Sequence, residues 1–235
     1  KDMEKYSEYT DLCDERNKTN NFAINAVNYI DTNIQLIINI LKNDNFIDIS
    51  YNLNDKAFIS MQLQEVNSLA MADTYIKYNG FIDISTQELV GIFSCFTNIS
   101  LQEDKRNINP SKKNNNIYEV SKYIVERIEY YKDQEIKNNL FTGLEYEYNF
   151  DLIDYVFEWC NCSNEHECKY IIDIMKCETE IFLGEFIKAI LKINNIALEL
   201  EKICETLQNM DLLKKLREIP ELTLKYIATN QSLYI

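Results

Sequence analysis

The chain has few of the residues that break helices: four glycines and two prolines in 235 positions. So few breakers over this length exclude a turn-rich β architecture and favour long helices. The glycines, Gly80, Gly91, Gly143 and Gly184, stand far apart, so no glycine-rich phosphate cradle can be built from them. Neither a Gly-x4-Gly-Lys-Ser/Thr loop nor an Asp-Glu-x-His box is present, and the chain carries no ATP motor of its own. The one histidine, His166, has no serine or cysteine nucleophile in a fitting context, which excludes a hydrolytic triad. No apolar run is long enough to span a bilayer. Basic residues are also scarce, 24 Lys and Arg against 38 Asp and Glu, for a net charge of -14. Such a chain binds polyanions poorly, because phosphate contacts need clustered cations. Any nucleic-acid contact has to be local or assisted by basic surfaces elsewhere. The plain reading of the acidity is a solvated exterior.

What is present is ample apolar material, 46% hydrophobic and 12% aromatic residues, enough to bury a core. Seven cysteines, an odd number, lie mostly in apolar helical patterns, and no secretory signal precedes them. Reduced thiols in cytosol or nucleus fit that usage. The chain begins Lys1-Asp2-Met3 rather than with an initiator Met, so it is expected to be a piece of something longer.

Periodicity predicts helices nearly throughout. Residues 2–17 place Met3, Tyr6, Tyr9 and Cys13 on one face, and Lys18 to Asn21 reads as a polar break. From Phe22 to Lys42, Ala23, Val27, Ile30, Ile34, Ile37 and Leu41 mark an amphipathic helix ended by Asn43-Asp44-Asn45. Phe46 to Phe58 reads as a loop with a short extended piece, and Ala57 to Lys77 as one helix stopped at Asn79-Gly80. Ser85 with Glu88 forms a capping box that starts the helix through Phe96. Asn98 to Asn116, with Pro110, Lys112-Lys113 and an Asn run, reads as a mobile linker. Helices are expected over Tyr118–Asn138, Phe150–Trp159, Glu167–Lys176, Leu183–Gln208, Met210–Arg217 and Leu222–Gln231. The fold class is all-α, a bundle of roughly ten helices with no substantial sheet. Its expected division is an N-terminal helical part (1–98), the linker (99–116) and a C-terminal helical part (117–235), forming one unit.

Two constellations carry chemistry. Cys160, Cys162, His166 and Cys168 put four soft ligands within nine residues, which suits zinc. Zinc knuckles, however, are separated by a longer loop, so a turn with buried thiols and no metal is expected. The segment Gly184 to Leu200 buries Phe186, Ile187, Ile190, Ile193, Ala197 and Leu200 on one side. Lys188, Lys192, Asn195 and Glu199 line the other, either as a solvated face or as a binding one.

The order of these pieces resembles the DSHCT module that closes the exosome-associated DExH-box RNA helicases, of the mRNA-transport (Mtr) and superkiller (Ski) types. The resemblance lies in Tyr78-Asn79-Gly80-Phe81, in Glu88 to Phe96 with its Ser94-Cys95-Phe96, and in Phe157-Glu158-Trp159. It extends to Gly184-Glu185-Phe186-Ile187-Lys188-Ala189-Ile190-Leu191-Lys192 and the ending Ser232-Leu233-Tyr234-Ile235. It implies the ratchet-plus-DSHCT region of an ATP-dependent 3'-5' RNA helicase that feeds RNA to the exosome. The region would pack on RecA-like domains of the same polypeptide and line the path of single-stranded RNA. ATP and Mg would belong to that motor, with no cofactor in this chain. Exosome or adaptor proteins would be partners, a membrane would not, and the location would be nuclear rather than cytoplasmic, with the Asn-Gly and Ser-Cys-Phe pieces leaning to the Mtr type. Where the family has arginines, Lys188 and Lys192 stand, and Lys lacks the planar fork of Arg. Its acidic pair is Asn194-Asn195 here. The resemblance makes Lys188, Lys192 and Asn195 RNA-facing and aligns Tyr75 with a position near RNA, where a ring could stack on a base; an aromatic at helical spacing is otherwise core. The other reading is a free-standing acidic helical adaptor with the same bundle and no motor, and the size of the native polypeptide separates the two.

Overall fold

A long helix, α1 (Asp2–Asn43), leads into eight shorter ones in the computed structural model, which describes residues 2–99, 101, 105–144 and 146–226. These are α2 (Asp55–Met61), α3 (Ser68–Lys77), α4 (Thr86–Phe93), α5 (Asn115–Asn138), α6 (Ile153–Asn161), α7 (Glu165–Thr179), α8 (Leu183–Leu207) and α9 (Met210–Thr223). Two 3-10 turns, Asn79–Phe81 and Ser94–Phe96, follow α3 and α4. The only β pairing among the described residues is an isolated bridge between Ile47 and Leu53, and the class is all-α.

Asparagine does much of the local work. Asn54, Asn67, Asn114, Asn164 and Asn209 cap the starts of α2, α3, α5, α7 and α9, each accepting a hydrogen bond from an amide three residues on. That satisfies a helix-end donor that would otherwise go unpaired. Ser85 and Glu88 form the expected capping box on α4. Glu88 also accepts from the side chains of Asn114 and Asn116, at 2.8 and 3.1 Å, which ties α4 to the first turn of α5. At the other ends, Asn139, Glu180 and Gln208 take the left-handed conformation that glycine usually supplies. Gly80 keeps that role at φ 64, between α3 and α4, where a Cβ would collide with the side chain of Asn209.

One buried cluster runs from Phe46 to Ile219. Trp159, fully buried, sits edge-on to Phe186 at 5.1 Å and donates its indole N–H to the Thr223 carbonyl at 3.0 Å, joining α6, α8 and the end of α9. A charged knot lies where α1 meets the rest: Arg127 bonds Asp73 at 2.6 Å and Asp44 at 2.8 Å, and Lys56 pairs with Asp73. Tyr131 donates to the same Asp73 oxygen at 2.6 Å.

Four expectations about the helices are corrected. Lys18 to Asn21 does not break the first helix: α1 is continuous, since these polar residues lack the φ constraint of Pro or the freedom of Gly. Its apolar row is only partly used, with Tyr6, Tyr9, Val27, Ile30 and Ile34 exposed and Ile40 and Leu41 packed on the core; the Met3 side chain lies outside the described residues. The expected helix 57–77 is two, split by a loop in which Leu63 and Val66 are buried and Asn67 starts α3. Helix α9 passes through Pro220 instead of ending near Arg217, because Ile219 and Thr223 are both buried and Thr223 is tied to Trp159. Residues 224–226 are not helical, and the remainder of the expected last helix and the Ser232–Ile235 ending lie outside the described residues. The 99–116 segment is anchored where it is described: the Asn107 amide bonds Asp151 at 2.7 Å, Lys113 pairs with Asp154 at 3.1 Å, and Pro110 is buried.

Candidate nucleic-acid interface

Helix α8 owes its place to its apolar side. Phe186, Ile187, Ile190, Ile193, Ala197 and Leu200 are all buried, as the spacing predicts. Asn194 is buried too; its amide donates to Ile190 O at 2.8 Å and to Thr223 Oγ1 at 2.9 Å, so it pins α8 to α9. The position that aligns with an acid in the family is therefore a core strut here.

The opposite side is divided. Lys188 is exposed and Lys192 half-buried, and neither makes an ion pair among the described residues. Lower on the same row, Asn195 donates to Glu65 Oε1 at 3.3 Å. Glu199 Oε2 accepts the backbone N–H groups of Gln64 and Glu65 at 2.9 and 3.1 Å. Lys202, exposed and at the next helical repeat, continues the row. Helical periodicity alone points to Lys202, which lies past the Gly184 to Lys192 motif.

Other cations near the motif segments are occupied. Lys215 Nζ donates to the carbonyls of Phe81, Ile82 and Ile84 at 3.3, 2.7 and 2.7 Å, closing the turn after Gly80. Lys225 Nζ does the same for Cys160 and Cys162 at 3.1 and 2.8 Å. Arg217 reaches Glu201 and Glu205. The lysines of α8 are thus set apart from those that hold the backbone.

Tyr75 does not join this face. It is 5% exposed, its ring meets Phe81 edge-on at 5.9 Å, and its hydroxyl accepts from Asn209 Nδ2 at 3.0 Å. Burial raises its pKa, against the pull of that Asn209 bond. No ring face is left for a base, so stacking gives way to a core role: the family position lies on a helix whose neighbours close over it.

The cysteine run spans the end of α6, the turn after it and the start of α7. Cys160 and Cys168 are buried, Cys162 is half-buried, and His166 is exposed on the first turn of α7. Among the described residues no three His, Cys, Asp or Glu side chains converge as a metal site. Burial pushes the thiols of Cys160 and Cys168 up to about 12. No helix among the described residues is long and apolar enough to cross a membrane.

Set beside known proteins, the sequence matches one domain family over residues 50–228, the DSHCT (NUC185) domain. No curated protein matches it.

Proposed function

The chain belongs to the DSHCT (NUC185) domain family, a domain of superkiller-like DExH RNA helicases, and from this we propose that it is the C-terminal helical region that lines the RNA path of such an enzyme. The parent acts as an ATP-dependent 3'-5' RNA helicase that delivers RNA to the exosome. ATP and Mg act in RecA-like domains of the same polypeptide, against which this bundle packs. The Asn79-Gly80 and Ser94-Cys95-Phe96 pieces favour the Mtr type and with it a nuclear location and exosome or adaptor partners.

The observation that carries the reading is the pair Lys188 and Lys192. In a chain of net charge -14 they lie on the outer side of a helix whose inner side is core, with no ion pair among the described residues. Two ammonium groups one turn apart can each neutralise a phosphate while the buried side keeps their spacing. The chain supplies no catalytic group; its work is to hold and guide the strand.

The test is Lys188→Glu with Lys192→Glu in the full polypeptide, titrated with fluorescein-labelled oligouridylate. RNA affinity should fall at least about tenfold, and the salt slope of binding should drop by roughly 1.4, about 0.7 for each phosphate of a single strand that is no longer neutralised. The fold should be unchanged, as both side chains lie on the outer row. Undiminished affinity would remove the RNA-facing assignment. The second reading, an adaptor that binds protein, would then stand on the acidity and on the exposed apolar row of α1.

A further inference from the structure

We propose that the loop between α2 and α3, residues 62–67, is part of the RNA-contacting face, and that Glu199 is the positioning residue that sets it there. The inference rests on the reading of α8 as RNA-facing.

An acid within a row of lysines that meets phosphates would weaken binding if its charge were free. Glu199 is not free. One of its oxygens takes two successive backbone N–H groups, those of Gln64 and Glu65, across more than 130 positions of sequence. Asn195, one turn earlier, adds its amide to the side chain of Glu65. Charge-assisted bonds of this kind are among the stronger ones available to a loop. Beneath them Leu63 and Val66 are buried at 5% and 9%, and Asn67 starts α3, so the loop is held from both sides. The entropy of ordering this segment is met before any ligand arrives.

The outcome is a surface of mixed chemistry. Lys188 and Lys192 offer charge at one end of the row. Exposed Gln64 stands farther along the row, where its backbone N–H meets Glu199. Lysines bind phosphates without regard to sequence, whereas carboxamides can donate to 2'-hydroxyls and accept from base edges. The loop thus contributes contacts that do not depend on salt, and Glu199 holds them in register with the lysines.

The experiment compares Glu199→Ala, Glu199→Gln and Gln64→Ala with the double lysine variant, in the full polypeptide, by anisotropy of labelled oligouridylate across a salt series. Glu199→Ala should weaken binding roughly 3–10-fold although it removes a negative charge, the size expected for one or two fewer hydrogen bonds to the RNA. Glu199→Gln keeps an oxygen for the loop amides and should recover at least half of that loss on a logarithmic scale. Gln64→Ala should weaken binding about threefold with the salt slope unchanged. Binding by Glu199→Ala that is unchanged or tighter, Gln64→Ala without effect, or Glu199→Gln as weak as Glu199→Ala would each overturn the proposal. If the double lysine variant also binds normally, the RNA-facing reading of α8 fails with it; if that variant weakens and Glu199→Ala does not, the loop alone is wrongly placed.

Discussion

Replacing Asp73 by alanine should be among the costliest single changes in this molecule. Asp73 is 7% exposed and serves three donors: Lys56 on one oxygen, and Arg127 Nε and the Tyr131 hydroxyl, each at 2.6 Å, on the other. Lys56 and Arg127 are themselves only 14% and 19% exposed. Without Asp73, Arg127 keeps the carboxylate of Asp44, Lys56 is left with the backbone carbonyl of Asp44, and the Tyr131 hydroxyl, in a residue 2% exposed, loses its acceptor. Breaking a buried pair by removing one partner costs about 3–5 kcal/mol, since the remaining charge is desolvated and uncompensated. At roughly 2–4 °C per kcal/mol for a domain of this size, the melting temperature should fall by about 6–20 °C. Urea unfolding followed by far-ultraviolet circular dichroism and by the fluorescence of Trp159, the single, fully buried tryptophan, reads the loss twice in one sample. Coincident transitions with an unchanged slope would show that stability alone has moved. Tyr131→Phe should cost about 1 kcal/mol, and the double variant should show a coupling of at least about 0.5 kcal/mol. A loss under about 1 kcal/mol for Asp73→Ala, the range of an exposed ion pair, would refute the reasoning.

Two further outcomes are expected. Burial disfavours the charge on Glu88, but the Ser85 amide and the side chains of Asn114, Ser85 and Asn116 outweigh it and hold its carboxyl below its ordinary value. A depressed folded pKa favours folding above the ordinary value, near 4.5, and that contribution is lost as pH falls through the folded one. Glu88→Gln should therefore lower stability at pH 7 and flatten its decline below about pH 4.5, read from urea midpoints across a pH series; an acid limb as steep as before would contradict this. Gln208 ends α8 at φ 58, so Gln208→Gly should stabilise the chain by about 1 kcal/mol, seen as a higher urea midpoint at constant slope. A lower midpoint would mean that its side chain contributes more than its backbone costs.

Where a local rule decides the structure, the residues can be read in advance. Ser85 with Glu88, Gly80 after α3, and the alternating faces of α5 and α8 are short-range patterns, and each is found. Where distant partners decide, the pattern is silent. The gap between α2 and α3 is maintained by Glu199, more than 130 residues away, and α9 outlasts Pro220 because Trp159 and Asn194 both seize Thr223. The abundant asparagines look like compositional bias in the sequence, yet five of them start helices. For the candidate interface, Lys188, Lys192 and Asn195 lie open to helical periodicity. The burial of Tyr75 and the duty of Glu199 depend on which helices close over them, which periodicity does not encode.

The long first helix also has a mechanical meaning. Its 42 residues span about 63 Å at 1.5 Å each, and among the described residues it is secured to the rest near its last turns, through Ile40, Leu41 and the Asp44–Arg127 bond. It is a lever with its fulcrum at the charged knot. A tilt of about one degree there carries the far end through roughly 1 Å, and a tilt of ten degrees through roughly 10 Å. A force applied at the tip acts on the knot as a torque through that long arm, so the rigidity of four charged side chains sets how faithfully motion at one end is felt at the other.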